Sequence, residues 1–321
     1  MSWTGSIFDT AGTQAERIAR LAWFLVIVSA VTYVLVLAAT AIAMRRARTR
    51  RMREELADTR PETESRLARN TAIAAIATTL ILLVYVTATA RTGKAIAWPI
   101  NAREPLTVEV TGHQWWWQFR YRDTVSSNWL TTSNELHIPV GRPVRVILLS
   151  NDVIHSFWIP ELHGKQDVIP GHRNTTYIQA DRPGVWKARC AEFCGHQHAK
   201  MAFDVVAESP ARFNQWYVSQ LASAPPPTDS SAKHGYDVFT QRTCIMCHTI
   251  NGTPAGSSVG PELTHIASRP SIAAGSLPNT RENLARWILN PQLIKPGVRM
   301  PPNALSRADM NALLDYLETL K

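Results

Sequence analysis

The chain has 321 residues, 45% apolar and 18% charged, a length that implies about two domains and a balance that excludes wholesale disorder. Its four cysteines are too few for a disulfide-stapled mini-protein. The net charge of +9 is uneven: residues 45–70 hold nine Arg against five Asp/Glu, whereas residues 105–220 hold eleven basic against ten acidic residues, so the excess reads as membrane topology and no nucleic-acid partner is expected.

Two uncharged apolar runs come first, LAWFLVIVSAVTYVLVLAATAIAM from Leu21 to Met44 and TAIAAIATTLILLVYVTATA from Thr71 to Ala90. Each meets the roughly 20 residues that a helix needs to cross a bilayer. A signal peptide is a poor description of the first, because no Lys or Arg occurs in the sixteen residues at the N-terminus and the run is too long. The pattern predicts a helical hairpin over 21–91, preceded by a short N-terminal segment (1–20). The connection carries Arg45, Arg46, Arg48, Arg50, Arg51, Arg53, Arg60, Arg66 and Arg69. Before the first helix stand only Arg17 and Arg20, and after the second only Arg91, Lys94 and Arg103. The excess of positive charge on cytoplasmic loops then puts the connection inside and everything after about residue 91 outside, in the periplasm of a bacterial plasma membrane, with lipid around the hairpin.

Residues 105–221 predict a β domain. The runs LTVEVTG, WWWQFRYR, ELHIPVG, PVRVILLS, TTYIQA, GVWKARC and MAFDVVA alternate or are β-branched, and turns such as Val140–Pro143 and Asp181–Gly184 separate them. The spacing suggests a Greek-key β-sandwich, closed by a short helix from Pro210 to Leu221. A Pro/Ser-rich tether (222–232) follows, and then a small α domain (233–321) in which Ser306 and Asp309 open a capped helix with Met310, Leu313, Leu314, Leu317 and Leu320 on one face. A domain of that size needs an added staple.

The cysteines supply two chemistries. Cys244-Ile-Met-Cys247-His248 has the spacing of covalent c-type haem attachment, both thiols bonding the vinyl groups and His248 available as an axial ligand. Met300, on the Pro-rich stretch Lys295-Pro-Gly-Val-Arg-Met-Pro-Pro302, is the candidate sixth ligand; Met246 is trapped inside the motif and Met310 belongs to the apolar helix face. The other pair lies in Cys190-Ala-Glu192-Phe-Cys194-Gly-His196-Gln-His198-Ala-Lys-Met201. Thiols, imidazole and thioether suit copper or zinc. A Cys190–Cys194 disulfide or a structural zinc on two Cys and two His would leave Met201 idle, whereas copper would use it, with His155 of Asn151-Asp-Val-Ile-His-Ser-Phe-Trp158 as a further ligand.

The whole arrangement resembles subunit II of the haem-copper cytochrome c oxidases: two N-terminal helices, Gly112-His-Gln-Trp115-Trp-Trp117, the DVIHSFW segment and Cys-x-Glu-x-Cys-Gly-x-x-His-x-x-Met. The tail resembles the cytochrome c domain fused to that subunit in caa-type oxidases, through Gly260-Pro-Glu-Leu-Thr-His265 and Pro291-Gln-Leu-Ile-Lys-Pro-Gly297. The resemblance implies a two-helix transmembrane hairpin, a cupredoxin-like β-sandwich and an all-α cytochrome c domain. It implies a binuclear CuA centre in which Cys190 and Cys194 bridge both coppers, His155 and Met201 complete one, and His198 with the Glu192 carbonyl the other. The Glu192 side chain would reach a magnesium ion at the junction with subunit I, His196 would be no ligand, and Trp115 would be the aromatic through which electrons enter from cytochrome c.

Two positions depart from the family pattern. The stretch Glu62–Asn70 does not single out the carboxylate that the family often has near the start of the second helix, and His172 follows Ile169-Pro-Gly171 where the family often has Arg. The implied function is electron transfer from an external donor to the chain's own haem c, then to CuA, then to subunit I, where oxygen is reduced, with subunit III as a further partner. The tether would raise the effective concentration of the haem domain at the copper face. The rival readings are the CuA subunit of a nitric oxide reductase and a free-standing membrane-tethered electron carrier.

Overall fold

The computed structural model describes residues 6–51, 61–97, 105–125 and 128–321. The chain divides into two compact units, one of residues 17–98, the other formed by the N-terminal segment together with residues 99–321.

In the first unit, α1 (Thr13–Arg51) and α2 (Pro61–Ala97) are each long and apolar enough to cross a membrane. Their apolar side chains face outward, Ile27, Val34, Leu35, Leu82 and Val86 among them, which is stable only in an apolar surround. Several hydroxyls on these faces bond back to their own helix, as Thr32 does to the Val28 carbonyl (2.9 Å) and Thr87 to that of Leu83 (2.8 Å). Tyr85 ties the helices together: its hydroxyl donates to the Leu25 carbonyl at 3.1 Å, and its ring meets Phe24 edge-on. The arginine stretch differs from the expected loop, since Arg45, Arg46 and Arg48 continue α1; no Gly or Pro stands between Met44 and the end of this helix at Arg51, and Ala and Arg are strong helix formers. Arg53, Arg60 and Arg103 lie outside the described residues.

The β domain holds ten strands: β1 (Leu106–His113), β2 (Trp116–Arg122), β3 (Leu130–Ser133), β4 (Glu135–Pro139), β5 (Val144–Ser150), β6 (His155–Trp158), β7 (Gln166–Val168), β8 (Asn174–Ile178), β9 (Gly184–Cys190) and β10 (Ala202–Glu208). They form two five-stranded sheets, ordered β3-β2-β1-β5-β8 and β4-β10-β9-β6-β7, with β1 parallel to β5 and β4 parallel to β10. Strict alternation along β2 sends Trp117, Phe119 and Tyr121 inward. There Trp117 and Phe119 meet Phe203 of the other sheet at 5.5 and 5.2 Å between ring centroids, and Phe157 stacks on Phe203 at 5.3 Å. Strands β3, β6 and β7 carried no sequence signal because three or four residues are too few to display a period. Helix α3 (Pro210–Gln220) closes the domain, capped by Ser209 and laying Trp216 flat on His137 at 3.9 Å.

The C-terminal domain contains α4 (Ser230–Gln241), α5 (Arg281–Leu289), α6 (Arg307–Thr319) and the short pair β11 (Ser271–Ile272) and β12 (Leu277–Pro278). Helix α4 starts inside the stretch read as tether, because Asp229 caps it by accepting from the Ala232 amide at 2.8 Å and Ala232 is fully buried. Helices α4 and α6 cross at Gly235, where a Cβ would stand 1.9 Å from the Ala312 carbonyl oxygen. Ser306 caps α6 as its spacing predicts, and Leu313, Leu314, Leu317 and Leu320 are buried.

Candidate functional site

Six donors converge at one end of the sandwich. His155 opens β6, Cys190 ends β9, Glu192, Cys194 and His198 lie on the connection between β9 and β10, and Met201 directly precedes β10. Pairing of β6 with β9, Phe157 opposite Cys190, carries His155 across to the cysteines although 35 residues separate them. The two sulfurs stand 3.7 Å apart and both thiols are free. Metal–thiolate bonds of about 2.3 Å at tetrahedral angles put two sulfurs about 3.8 Å apart, whereas a disulfide needs about 2.05 Å.

Each thiol is flanked by two further donors. Around Cys190 Sγ lie His155 Nδ1 at 3.9 Å and the Glu192 carbonyl oxygen at 3.2 Å; around Cys194 Sγ lie His198 Nδ1 at 3.6 Å and Met201 Sδ at 3.8 Å. The donor set therefore fits two adjacent soft-metal positions sharing both sulfurs, and Met201, buried at 1% exposure, is one of its members. The Cys194 thiol beside it holds Cys190 far below an ordinary thiol, against the cost of burial and with help from His155, while proximity to Cys190 and then burial push Cys194 up.

Asp152, which sequence reasoning did not assign, orients the ring of His155. Its Oδ1 accepts from His155 Nε2 at 2.8 Å, which turns Nδ1 toward Cys190. Burial works against the charge on Asp152, but bonds from His155 and from the Gln114 and Val153 amides hold its carboxyl below the usual range. The spacing Asp-x-x-His was the available signal. The Glu192 carboxylate is half exposed, beside Lys165 Nζ (3.5 Å), which also lies 3.4 Å from Asp167. His196 is exposed.

In the helical domain, Cys244 and Cys247 flank a short turn, and His248 Nδ1 donates to the Pro261 carbonyl at 2.7 Å. That bond commits one ring nitrogen and leaves Nε2 for a metal, and burial pushes the imidazole below its ordinary value. A cavity of about 330 Å³ opens beside Cys244, lined by Ile288, Pro302 and Leu305 among others. Met300 packs on the apolar core, its carbonyl held by Gln292 Nε2 at 3.0 Å, while Met246 is exposed. Thiols, an oriented imidazole and an apolar wall fit a covalently held haem.

Residues 124–209 match the family described as cytochrome c oxidase subunit II, periplasmic domain, and residues 232–321 match cytochrome c. The chain joins a subunit II periplasmic domain to a cytochrome c domain. Cytochrome c oxidase subunit 2 of Alkalihalophilus pseudofirmus is 42% identical over 215 residues, covering 67% of this chain and 61% of that protein. The same subunit of Bacillus sp. strain PS3 is 34% identical over 231 residues, covering 68% and 63%. The chain thus spans less than two thirds of the length of these relatives. A crystal structure of the periplasmic domain of subunit II of cytochrome oxidase from Bradyrhizobium japonicum is similar at 29% identity and a TM-score of 0.35, covering 37% of this chain and 96% of that one. The chain thus carries two helices long and apolar enough to cross a membrane, ahead of a domain that matches a family described as periplasmic.

Within the subunit II domain, Trp115 is buried, and its indole Nε1 donates to the Cys194 carbonyl at 2.9 Å. Gln114 Nε2 donates to the same oxygen at 2.8 Å, and a cis peptide joins the two residues. The cytochrome c domain is in contact with this face, and the tether that joins them is itself pinned through the Ala224 amide to the Asn251 carbonyl at 2.9 Å.

Proposed function

We propose that this chain is the subunit that receives electrons for a proton-pumping haem-copper oxidase, passing them from cytochrome c to a partner subunit that reduces oxygen to water. One observation carries the reading: two free thiols 3.7 Å apart, with the imidazoles of His155 and His198 and the Met201 thioether around them, donors of the type copper takes. In this reading Cys190, Cys194, His155, Met201, His198 and the Glu192 carbonyl would hold a copper pair. Cys244 and Cys247 would hold haem c covalently, with His248 and Met300 as the side chains that would meet its iron. When bound, these groups carry single electrons reversibly.

The chain's own residues do the positioning. Asp152 orients His155, Pro261 orients His248, and the stiff sandwich holds the donors in one geometry whatever the charge between them. Trp115, bonded to the Cys194 backbone, is the aromatic through which electrons arrive. The Glu192 carboxylate, beside Lys165 and Asp167, is assigned to a magnesium ion at the junction with subunit I. Subunits I and III are the membrane partners, the plasma membrane the location, and the arginine-rich connection the cytoplasmic side.

Metal analysis and low-temperature electron paramagnetic resonance of the purified chain test this. Two coppers with a shared unpaired electron, and one covalent haem, are expected; zinc in place of copper overturns the copper assignment. Oxygen uptake against nitric oxide uptake by the purified complex separates the oxidase from a nitric oxide reductase.

A further inference from the structure

The segment that leads into Met300 lies across the copper-side face of the subunit II domain, and Lys295 is its anchor. This side chain is 2% exposed, among the largest fully buried ones in the molecule. Its Nζ donates to the Trp115 carbonyl at 2.8 Å and the Lys200 carbonyl at 2.8 Å, both in the subunit II domain, and to the Ala273 carbonyl of its own domain at 3.2 Å. Three acceptors match the three protons of an ammonium, which a planar guanidinium would not serve. A buried amine is tolerated only when so bonded.

Neighbouring contacts follow the same line. Gln197 Nε2 donates to the Pro296 carbonyl at 2.9 Å, and Lys200 Nζ donates to that of Ile294 at 2.5 Å. Gly297, at φ +91°, brings its backbone over the Trp115 indole, where an added Cβ would stand 3.5 Å from the ring. The Ala202 amide donates to the Ala274 carbonyl at 3.3 Å, and Arg299, next to Met300, lies 3.7 Å from Asp152, the partner of His155.

We propose that Lys295 is a positioning residue that latches the cytochrome c domain onto Trp115, covering the face through which electrons reach the copper-side donors so that an external one-electron donor is served through this chain's haem and not directly at Trp115. The inference rests on the proposed function for its electron path and on the contacts alone for the latch. The transfer it positions is a plain one-electron exchange: one electron leaves the haem iron, one arrives at the copper pair, and no bond or proton changes hands. The connection between the domains is therefore more than a tether; the donor is docked.

Two measurements test the latch. The first is lysine acetylation of the native full chain followed by mass spectrometry. Lys295 should react at least about tenfold more slowly than the exposed Lys233, because reaction requires the domains to part. Equal reactivity would overturn the latch whatever the metals do. The second is Lys295→Met, which keeps the apolar stem and removes the donors. The expected result is unchanged haem and copper spectra, amide exchange about tenfold faster in residues 114–117 and 294–298, and slower electron transfer between haem and copper after rapid reduction of the haem. Unchanged exchange with intact spectra refutes the role. If this variant does not fold, the acetylation result on the unaltered chain decides. Protected Lys295 in a chain that holds no copper would leave the latch standing and remove the electron-transfer reading.

Discussion

Asp152 Oδ1 accepts a hydrogen bond from His155 Nε2 at 2.8 Å, and that bond holds the ring with its Nδ1 facing the Cys190 sulfur. Removing it in Asp152→Ala should free the ring to rotate and weaken copper binding by about 10–100-fold. Competition against a chelator of known affinity measures this, with haem attachment as the unaffected control. Unaltered affinity would show that the ring is held by its packing alone.

Met201 distinguishes a copper pair from simpler uses of the two thiols. Leu fills nearly the same buried volume, so Met201→Leu should cost less than about 1.5 kcal/mol in stability. The copper spectrum should shift nonetheless, because the thioether beside Cys194 is gone. An unchanged spectrum in a folded, copper-loaded variant would remove Met201 from the donor set.

Gly235 tests the packing of the cytochrome c domain. A methyl group there would collide with the Ala312 carbonyl, which is backbone and cannot swing aside. Gly235→Ala should force α4 and α6 apart and destabilise the domain by about 1–3 kcal/mol or more. Urea unfolding followed at the haem absorption reads the loss.

Glu161 gives a pH dependence of definite sign. It is 3% exposed, its Oε2 finds no partner among the described residues, and burial pushes its carboxyl up. The folded state therefore holds this proton more tightly than the unfolded chain, so its contribution to stability is present below the unfolded value of about 4.3 and is lost as pH rises through the folded one. Glu161→Gln cannot ionise. It should melt at a higher temperature than the parent at pH 7, with the advantage vanishing toward pH 4. A constant difference across that range would contradict the assignment.

Much of the architecture is readable along the chain. Leu21–Met44 and Thr71–Ala90 announce membrane helices because a run of apolar residues has one stable surround, and Ser306 announces α6 because capping is a local bond. The alternation in Trp116–Arg122 marks a half-buried strand. The short strands β3, β6 and β7 escaped notice, as did the helical extension through Arg45–Arg48, where charge signalled a loop but helix propensity prevailed.

For the candidate site, sequence by itself determined the chemistry that covalent neighbours carry: the Cys244–His248 spacing and the Cys190–Met201 run, whose donors a single connection can gather. Only the tertiary structure decided what lies across from them. Pro261 beneath His248 and Lys295 reaching Trp115 from 180 residues away are contacts that nothing in the spacing along the chain records. Ligand identity follows from short-range order, whereas orientation and docking follow from which buried polar groups must find partners once the sheets and helices close.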